Sequence, residues 1–167
     1  VYAWAPRAPK VHAYCEEMQR KFGIPVIPMD SCEECVRAAD ILIIAGPGGH
    51  SDENRVIGYG WIKPGCTILP VNQDSHFLRG VLAGDMDKIF IDDNSSFDYL
   101  KDKGHYDGIA AYPPRMEDLL NRRVHGREQK GEKIIALHMG IALADVAPAW
   151  VVMQRALEEN IGTILPL

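Results

Sequence analysis

Cysteine is scarce: four in 167 residues, too few for a disulfide scaffold and in keeping with a cytoplasmic setting. An excess of basic residues is also missing. Eighteen Lys and Arg stand against 23 Asp and Glu, a net charge of -5, which argues against a nucleic-acid partner. No run of about 18 apolar residues occurs, so no membrane-spanning helix is expected. The first residues lack the basic and long apolar regions of a secretory signal. Internal repeats, linkers and low-complexity stretches are lacking too. The remainder is ordinary for a globular chain, 47% apolar and 25% charged, and the length suits one compact domain with a core of its own.

Periodicity orders the elements. Val1 to Trp4 reads as a strand. Lys10 to Phe22 has helical spacing, with Val11, Tyr14, Cys15, Met18 and Phe22 on one face, and Gly23 as a stop. Ile24 to Met29 is a short strand. Ser31-Cys32-Glu33-Glu34 is a capping box that opens a helix to about Ala39. Ile41 to Ala45 is a continuous apolar run, as expected of a strand buried on both faces of a parallel sheet. Further strands are expected at Thr67 to Val71, Lys88 to Ile91 and Lys133 to Leu137. Helices are expected at about Ser96 to Lys101, Arg115 to Asn121 and Ala144 to Glu159. Alternating strands and helices imply an α/β fold with a mainly parallel sheet and flanking helices. Ligands of such sheets bind beyond the carboxyl ends of the strands. Those ends are Ala5 to Lys10, Gly46 to His50, Val71 to His76, Asp92 to Ser95 and His138 to Gly140.

Several short motifs occur in a telling order. His138-Met139-Gly140-Ile141-Ala142-Leu143-Ala144-Asp145 leads into an apolar helix that closes on Asn160-Ile161-Gly162-Thr163. Upstream stand Ala39-Asp40-Ile41-Leu42, the turn Trp61-x-Lys63-Pro64-Gly65, and Val71-Asn72-Gln73-Asp74. Over nearly the whole chain this resembles the ornithine cyclodeaminase/mu-crystallin family, whose members bind NAD(P)(H) and act on amino acids or cyclic imines. The resemblance implies a Rossmann-like fold whose first βα unit, with its Gly-x-Gly-x-x-Gly turn, is missing from this chain. It divides the sequence into an incomplete NAD(P)-binding domain, residues 1–140, and a C-terminal helix and tail, residues 141–167, that returns to an absent N-terminal domain. In the family that domain supplies dimer contacts and the groups that hold the substrate carboxylate. The resemblance therefore implies a homodimer, and a missing N-terminal half or a partner chain. Without the glycine turn, this polypeptide alone is expected to bind dinucleotide poorly.

The resemblance also assigns candidate residues. Arg7 and Lys10 follow the second Rossmann strand, where NAD-selective domains carry a carboxylate for the ribose 2'-hydroxyl. An arginine there suits a 2'-phosphate, so NADP(H) is favoured, with NAD(H) the other candidate. The alternative for both residues is solvated charge at a helix start. Gly46, in Gly46-Pro47-Gly48-Gly49-His50, and Val71 are expected against the cofactor, although a glycine-rich turn without a complete motif is also read as a plain turn. Asp74 stands where the family carries the carboxylate that moves a proton to or from the substrate amino group; the alternative is a turn or cap. Asn72-Gln73 replaces the glycines usual before that carboxylate. His138, with cofactor, and Met139, with substrate, complete the set; His138 can donate to a carboxamide or be a structural histidine. His76 is read as a surface side chain, with substitution as a proton carrier the rival. Asp145 is expected to cap the last helix, and Asp92-Asp93 to be solvated or capping. Cys32-x-x-Cys35 has the spacing of a redox pair or half a zinc site, but no second Cys pair or suitably spaced His pair accompanies it, and an exposed polar loop explains His50-x-Asp52-Glu53, so no metal is expected. The rival to an enzyme of amino acid or imine chemistry is a non-catalytic binder of NADPH or a small ligand, or one subunit of a split enzyme.

Overall fold

A computed structural model describes residues 1–46 and 52–165. The chain runs β1 (Tyr2–Ala3), α1 (Ala8–Phe22), β2 (Ile27–Pro28), α2 (Cys32–Ala38), β3 (Ile41–Ile44), a 3-10 turn (Asp52–Asn54), β4 (Thr67–Pro70), α3 (Val81–Asp85), β5 (Lys88–Ile91), α4 (Asn94–Asp102), α5 (Met116–Leu120), β6 (Ile134–Leu137) and α6 (Ala142–Glu158). All strand pairs are parallel. They form two sheets: a pair, β1-β2, and four strands in the order β3-β4-β6-β5. This is the expected α/β architecture.

Local chemistry sets the element ends. Gly23, at φ 67°, closes α1 by donating its N–H to the Gln19 carbonyl, a left-handed cap that glycine adopts without steric cost. The Ser31 hydroxyl accepts the Glu34 N–H at 3.1 Å and starts α2, the cap half of the expected box. The Asp93 carboxylate accepts the Ser96 N–H at 2.7 Å and starts α4. α6 begins earlier than its periodicity suggests, and its N-cap is Ile141, with no side-chain cap. The expectation that Asp145 caps α6 is thus corrected: it lies inside the first turn, where a carboxylate favours the helix dipole instead. Helix α3 was not visible in the periodicity. Its five residues contain one glycine and follow another, and the burial of Val81 and Leu82 accounts for it.

The reading of Ile41 to Ala45 as a strand buried on both faces is corrected as well. β3 is an edge strand whose burial alternates. Leu42 and Ile44 enter the core, while Ile41 and Ile43 are 64% and 66% exposed. A strand covered on one face buries only alternate side chains.

Two cores result. The larger joins the four-stranded sheet to the segments around it through Ile68, Phe77, Val81, Ile91, Phe97 and Ile135 among others. The smaller, under α1, has only Val11, Cys15 and Val26 fully buried, with Ala3 and Met18 packed against it. Tyr14 and Phe22, expected on the same face, are about half exposed.

Candidate functional site

Parallel strands bring their carboxyl ends to one edge. In the four-stranded sheet these are Ala45-Gly46 after β3, Val71 to Asp74 after β4, Asp92-Asp93 after β5 and His138 to Gly140 after β6. Two side chains tie this edge together. Asn72 Nδ2 donates to the Gly46 carbonyl at 2.9 Å, joining the ends of β3 and β4. One Asp92 oxygen, Oδ2, accepts the N–H groups of Met139 and Gly140, both at 2.9 Å, joining β5 to β6. Gly46 admits no side chain without rearrangement, because a Cβ there would lie 2.5 Å from His76 Nε2. His76 is therefore half-buried packing behind that glycine, and not the surface group the sequence suggested. Burial lowers its pKa.

Two cavities open along this edge. One, of about 490 Å³, is lined by Ile43, Leu69, Pro70, Val71, Gln73, His138, Met139 and Gly140. The other, of about 360 Å³, is lined by Gln73, Ser95, Ser96, Tyr99, Leu100 and Met139. Gln73 and Met139 belong to both. The first has apolar walls that suit a flat ring. The second is edged by hydroxyls, and among the described residues neither contains a Lys or Arg.

Behind Gln73 the chain turns inward. Asp74 is 3% exposed and receives three groups of donors. Arg55 Nη1 lies 3.4 Å from Oδ2, the Tyr106 N–H donates to Oδ2 at 3.2 Å, and His105 Nδ1 donates to Oδ1. Arg55 is itself buried and also donates to the carbonyls of Asp74, at 3.2 Å, and Phe77, at 2.7 Å. Tyr106 adopts φ 60°, a left-handed conformation that costs a non-glycine residue energy. The conformation lets its N–H reach Asp74 while its ring stacks on Phe97 at 5.0 Å. The Tyr106 hydroxyl is buried without a partner among the described residues, and burial, then the charge of Asp74, raises its pKa.

A family model described as the ornithine cyclodeaminase/mu-crystallin family matches residues 1–160. The chain belongs to that family. It is 26% identical over 157 residues to an N-((2S)-2-amino-2-carboxyethyl)-L-glutamate dehydrogenase of Staphylococcus aureus, covering 89% of this chain and 44% of that protein. Among solved structures it resembles a Delta(1)-pyrroline-2-carboxylate reductase of Thermococcus litoralis in complex with NADH and L-proline, with a TM-score of 0.78 and 22% identity. That match covers 98% of this chain and 52% of the other. An archaeal alanine dehydrogenase dimer with bound NAD gives a TM-score of 0.79 at 23% identity, covering 100% of this chain and 52% of the other. At these identities the structural likeness establishes the fold. The chain spans about half the length of the relatives it matches.

Within this family fold, the residues singled out from sequence divide into three groups. Val71, His138 and Met139 line the cavities, and Val71 and His138 are exposed there. Gly46 and Asp74 flank them from behind: Gly46 through its carbonyl bond to Asn72, Asp74 through its place next to Gln73. Arg7 and Lys10 are exposed at the start of α1, and among the described residues neither lines either cavity. Residues 47–50 of the glycine-rich turn, His50 included, lie outside the described residues. Asp52 pairs with Arg55 at 3.3 Å and with Arg79 at 3.2 Å. Cys32 and Cys35 are free and half-buried. Burial, then the neighbouring Cys35, pushes the Cys32 thiol up to about 11, away from the reactive thiolate. Among the described residues no group of three His, Cys, Asp or Glu side chains could hold a metal ion, and no helix is long and apolar enough to cross a membrane.

Arg55, Gln73, Ser95, Ser96, His105 and Tyr106 were not singled out from sequence. Arg55 and His105 are 19 and 31 residues from Asp74, and no local spacing announces such a meeting. Gln73 carried a signal in its place directly before Asp74, in the segment Val71-Asn72-Gln73-Asp74.

Proposed function

We propose that the full-length protein is a nicotinamide-dependent oxidoreductase acting on an amino acid or its imine, as a cytoplasmic homodimer. The observation that carries the reading is the cleft at the carboxyl edge of the sheet, where Val71, His138 and Met139 from two adjacent strand ends line one cavity. A cyclodeaminase, in which oxidation is followed by ring closure and ammonia loss, is one form of this chemistry. Amino acid dehydrogenase and ketimine reductase are the others.

The apolar cavity fits a nicotinamide ring. Val71 and Met139 would flank the ring and His138 would hold its carboxamide. When bound, the cofactor supplies or accepts the hydride. Amine oxidation also requires a proton to leave the nitrogen, a task for a carboxylate at hydrogen-bond reach. Asp74 is our proposal for that group. Its oxygens already receive Arg55, His105 and Tyr106, so exchange with the cleft would need this cluster to open or His105 to relay the proton. Met139 would touch the substrate. Gly46 would let backbone approach the cofactor, and Arg7 with Lys10 would bind the 2'-phosphate of NADP(H).

A second reading rests on one observation. Asp74 is sealed in the interior, which suits a family member that binds a small ligand or NADPH without turning it over, or a chain that completes its site with a partner polypeptide.

The test is oxidation of NADH and NADPH by the full-length protein with Delta(1)-pyrroline-2-carboxylate, and reduction of NAD+ and NADP+ with L-alanine and L-proline. Turnover with any of these supports the oxidoreductase. Cofactor binding by fluorescence with no turnover supports the binding protein. For Asp74, the substitution Asp74→Asn should lower kcat by about 100-fold while cofactor affinity holds; unchanged kcat removes Asp74 from catalysis. Arg7→Asp should weaken NADPH binding more than NADH binding, and equal loss refutes the 2'-phosphate role.

A further inference from the structure

Among the described residues that line the cleft, Gln73 alone has a strained backbone. Its φ is 54°, in the left-handed region that favours glycine. Both neighbours hold it there. Asn72 is tied to the Gly46 carbonyl and to His76, and Asp74 is tied into the interior by Arg55, His105 and Tyr106. Strain of this kind persists where the surroundings over-determine it, and it concentrates at binding sites. Gln73 also lines both cavities, whereas Asp74 lines neither. The side chain at the boundary of the cleft is thus an amide on a backbone that glycine would hold more easily.

The polar groups described in the hydroxyl-edged cavity are uncharged. Among the described residues no Lys or Arg lines this cavity, which has Ser95, Ser96 and Tyr99 beside Gln73. The ionisable groups at the neighbouring strand end are the carboxylates Asp92 and Asp93. Amide and hydroxyl groups both donate and accept, so this lining offers partners to a neutral hydrogen-bonding group and no opposite charge to a second carboxylate.

We propose that Gln73 is a specificity-determining residue. Its amide reads a neutral, hydrogen-donating group, such as an amide, on the side chain of the substrate in the hydroxyl-edged cavity. This rests on the reading of the protein as a binder or oxidoreductase of amino acids. Discrimination by hydrogen bonding is strong because a mismatched ligand leaves buried polar groups unpaired.

The experiment compares L-glutamine, L-glutamate and L-norvaline, which share chain length and differ in the terminal group, using the full-length protein and Gln73→Gly. Binding is measured by calorimetry in the presence of NAD+ and NADP+, and turnover is followed alongside. The wild type should favour glutamine over both others by about tenfold or more. Gln73→Gly should shrink that preference to about twofold while its Tm holds or rises, since glycine relieves the strained φ. A merely structural glutamine would instead lower Tm and leave the preference intact. A wild-type preference for glutamate, no preference at all, or a preference that survives Gln73→Gly overturns the proposal. Calorimetric preference that depends on Gln73 without turnover overturns the oxidoreductase and leaves this inference standing. Turnover with a preference indifferent to Gln73 does the reverse.

Discussion

Asp74, Arg55 and His105 form the most consequential contact set of single residues in this chain. Removing one partner of a buried ion pair leaves the other charge uncompensated, typically at about 3–5 kcal/mol. Arg55→Ala should therefore destabilise strongly in urea unfolding, and His105→Ala, which removes a buried hydrogen bond to Asp74, should destabilise as well. In a double-mutant cycle, Arg55→Ala and Asp74→Ala should fall short of additivity by about 1–3 kcal/mol; strict additivity would mean that the pair is not coupled. Asp93 gives a prediction with a pH signature. The Ser96 N–H, ahead of the other contacts, lowers its pKa from the ordinary 3.8. A carboxyl with a depressed folded pKa stabilises above its unfolded pKa, and the effect fades as pH falls through the lower, folded value. The stability gap between wild type and Asp93→Ala should be full at neutral pH, begin to close below about pH 4 and close fully only below the lower, folded value. A gap that persists there would assign the effect to something other than the charged cap. At this scale the sequence was legible where a residue acts on its neighbours, as Ser31 and Gly23 do. It was opaque where side chains meet across 19 or 31 positions, as around Asp74.

Elements were legible wherever burial and periodicity coincide. Lys88–Ile91 was placed to the residue, and α1 and β6 nearly so. The sequence misled at β3, because a run of branched apolar residues reads alike whether one face of the strand is covered or both. The same ambiguity attends α6. Its apolar residues were evident, and the structure leaves them uncovered: no residue of α6 is buried, and Trp150 is 60% exposed. Pro148 also lies within it, where it can donate no N–H. A helix without tertiary packing draws little stability from propensity alone. In residues 1–167 studied alone, α6 amides should exchange with deuterium far sooner than those of β4 and β6. Equal protection would show that α6 is covered by something the described residues do not include.

For the whole molecule, the parallel sheet and the position of the cleft followed from strand order, and the cleft's occupant did not. Substrate discrimination depends on a few polar atoms, and these are brought together only by the finished fold. The exposed faces of β3 and α6 make a testable surface. Residues 1–167 alone should self-associate with rising concentration in sedimentation velocity, because so many exposed large apolar side chains on two elements are rarely left open. Ile43→Lys combined with Val152→Lys should weaken that association; no change would locate the contact elsewhere. The two cores carry one more consequence. Three fully buried side chains secure α1 and its strand pair, while the four-stranded sheet rests on many more, and the two are joined by the chain near Asp30 and by the packing of α2 on β1. Under mild warming with a protease present, the molecule should therefore wear away in order. The first thirty residues or so would be trimmed off with Arg7 and Lys10, leaving a durable remnant that retains Gln73 and His138 but has shed the groups proposed to tell one dinucleotide from the other.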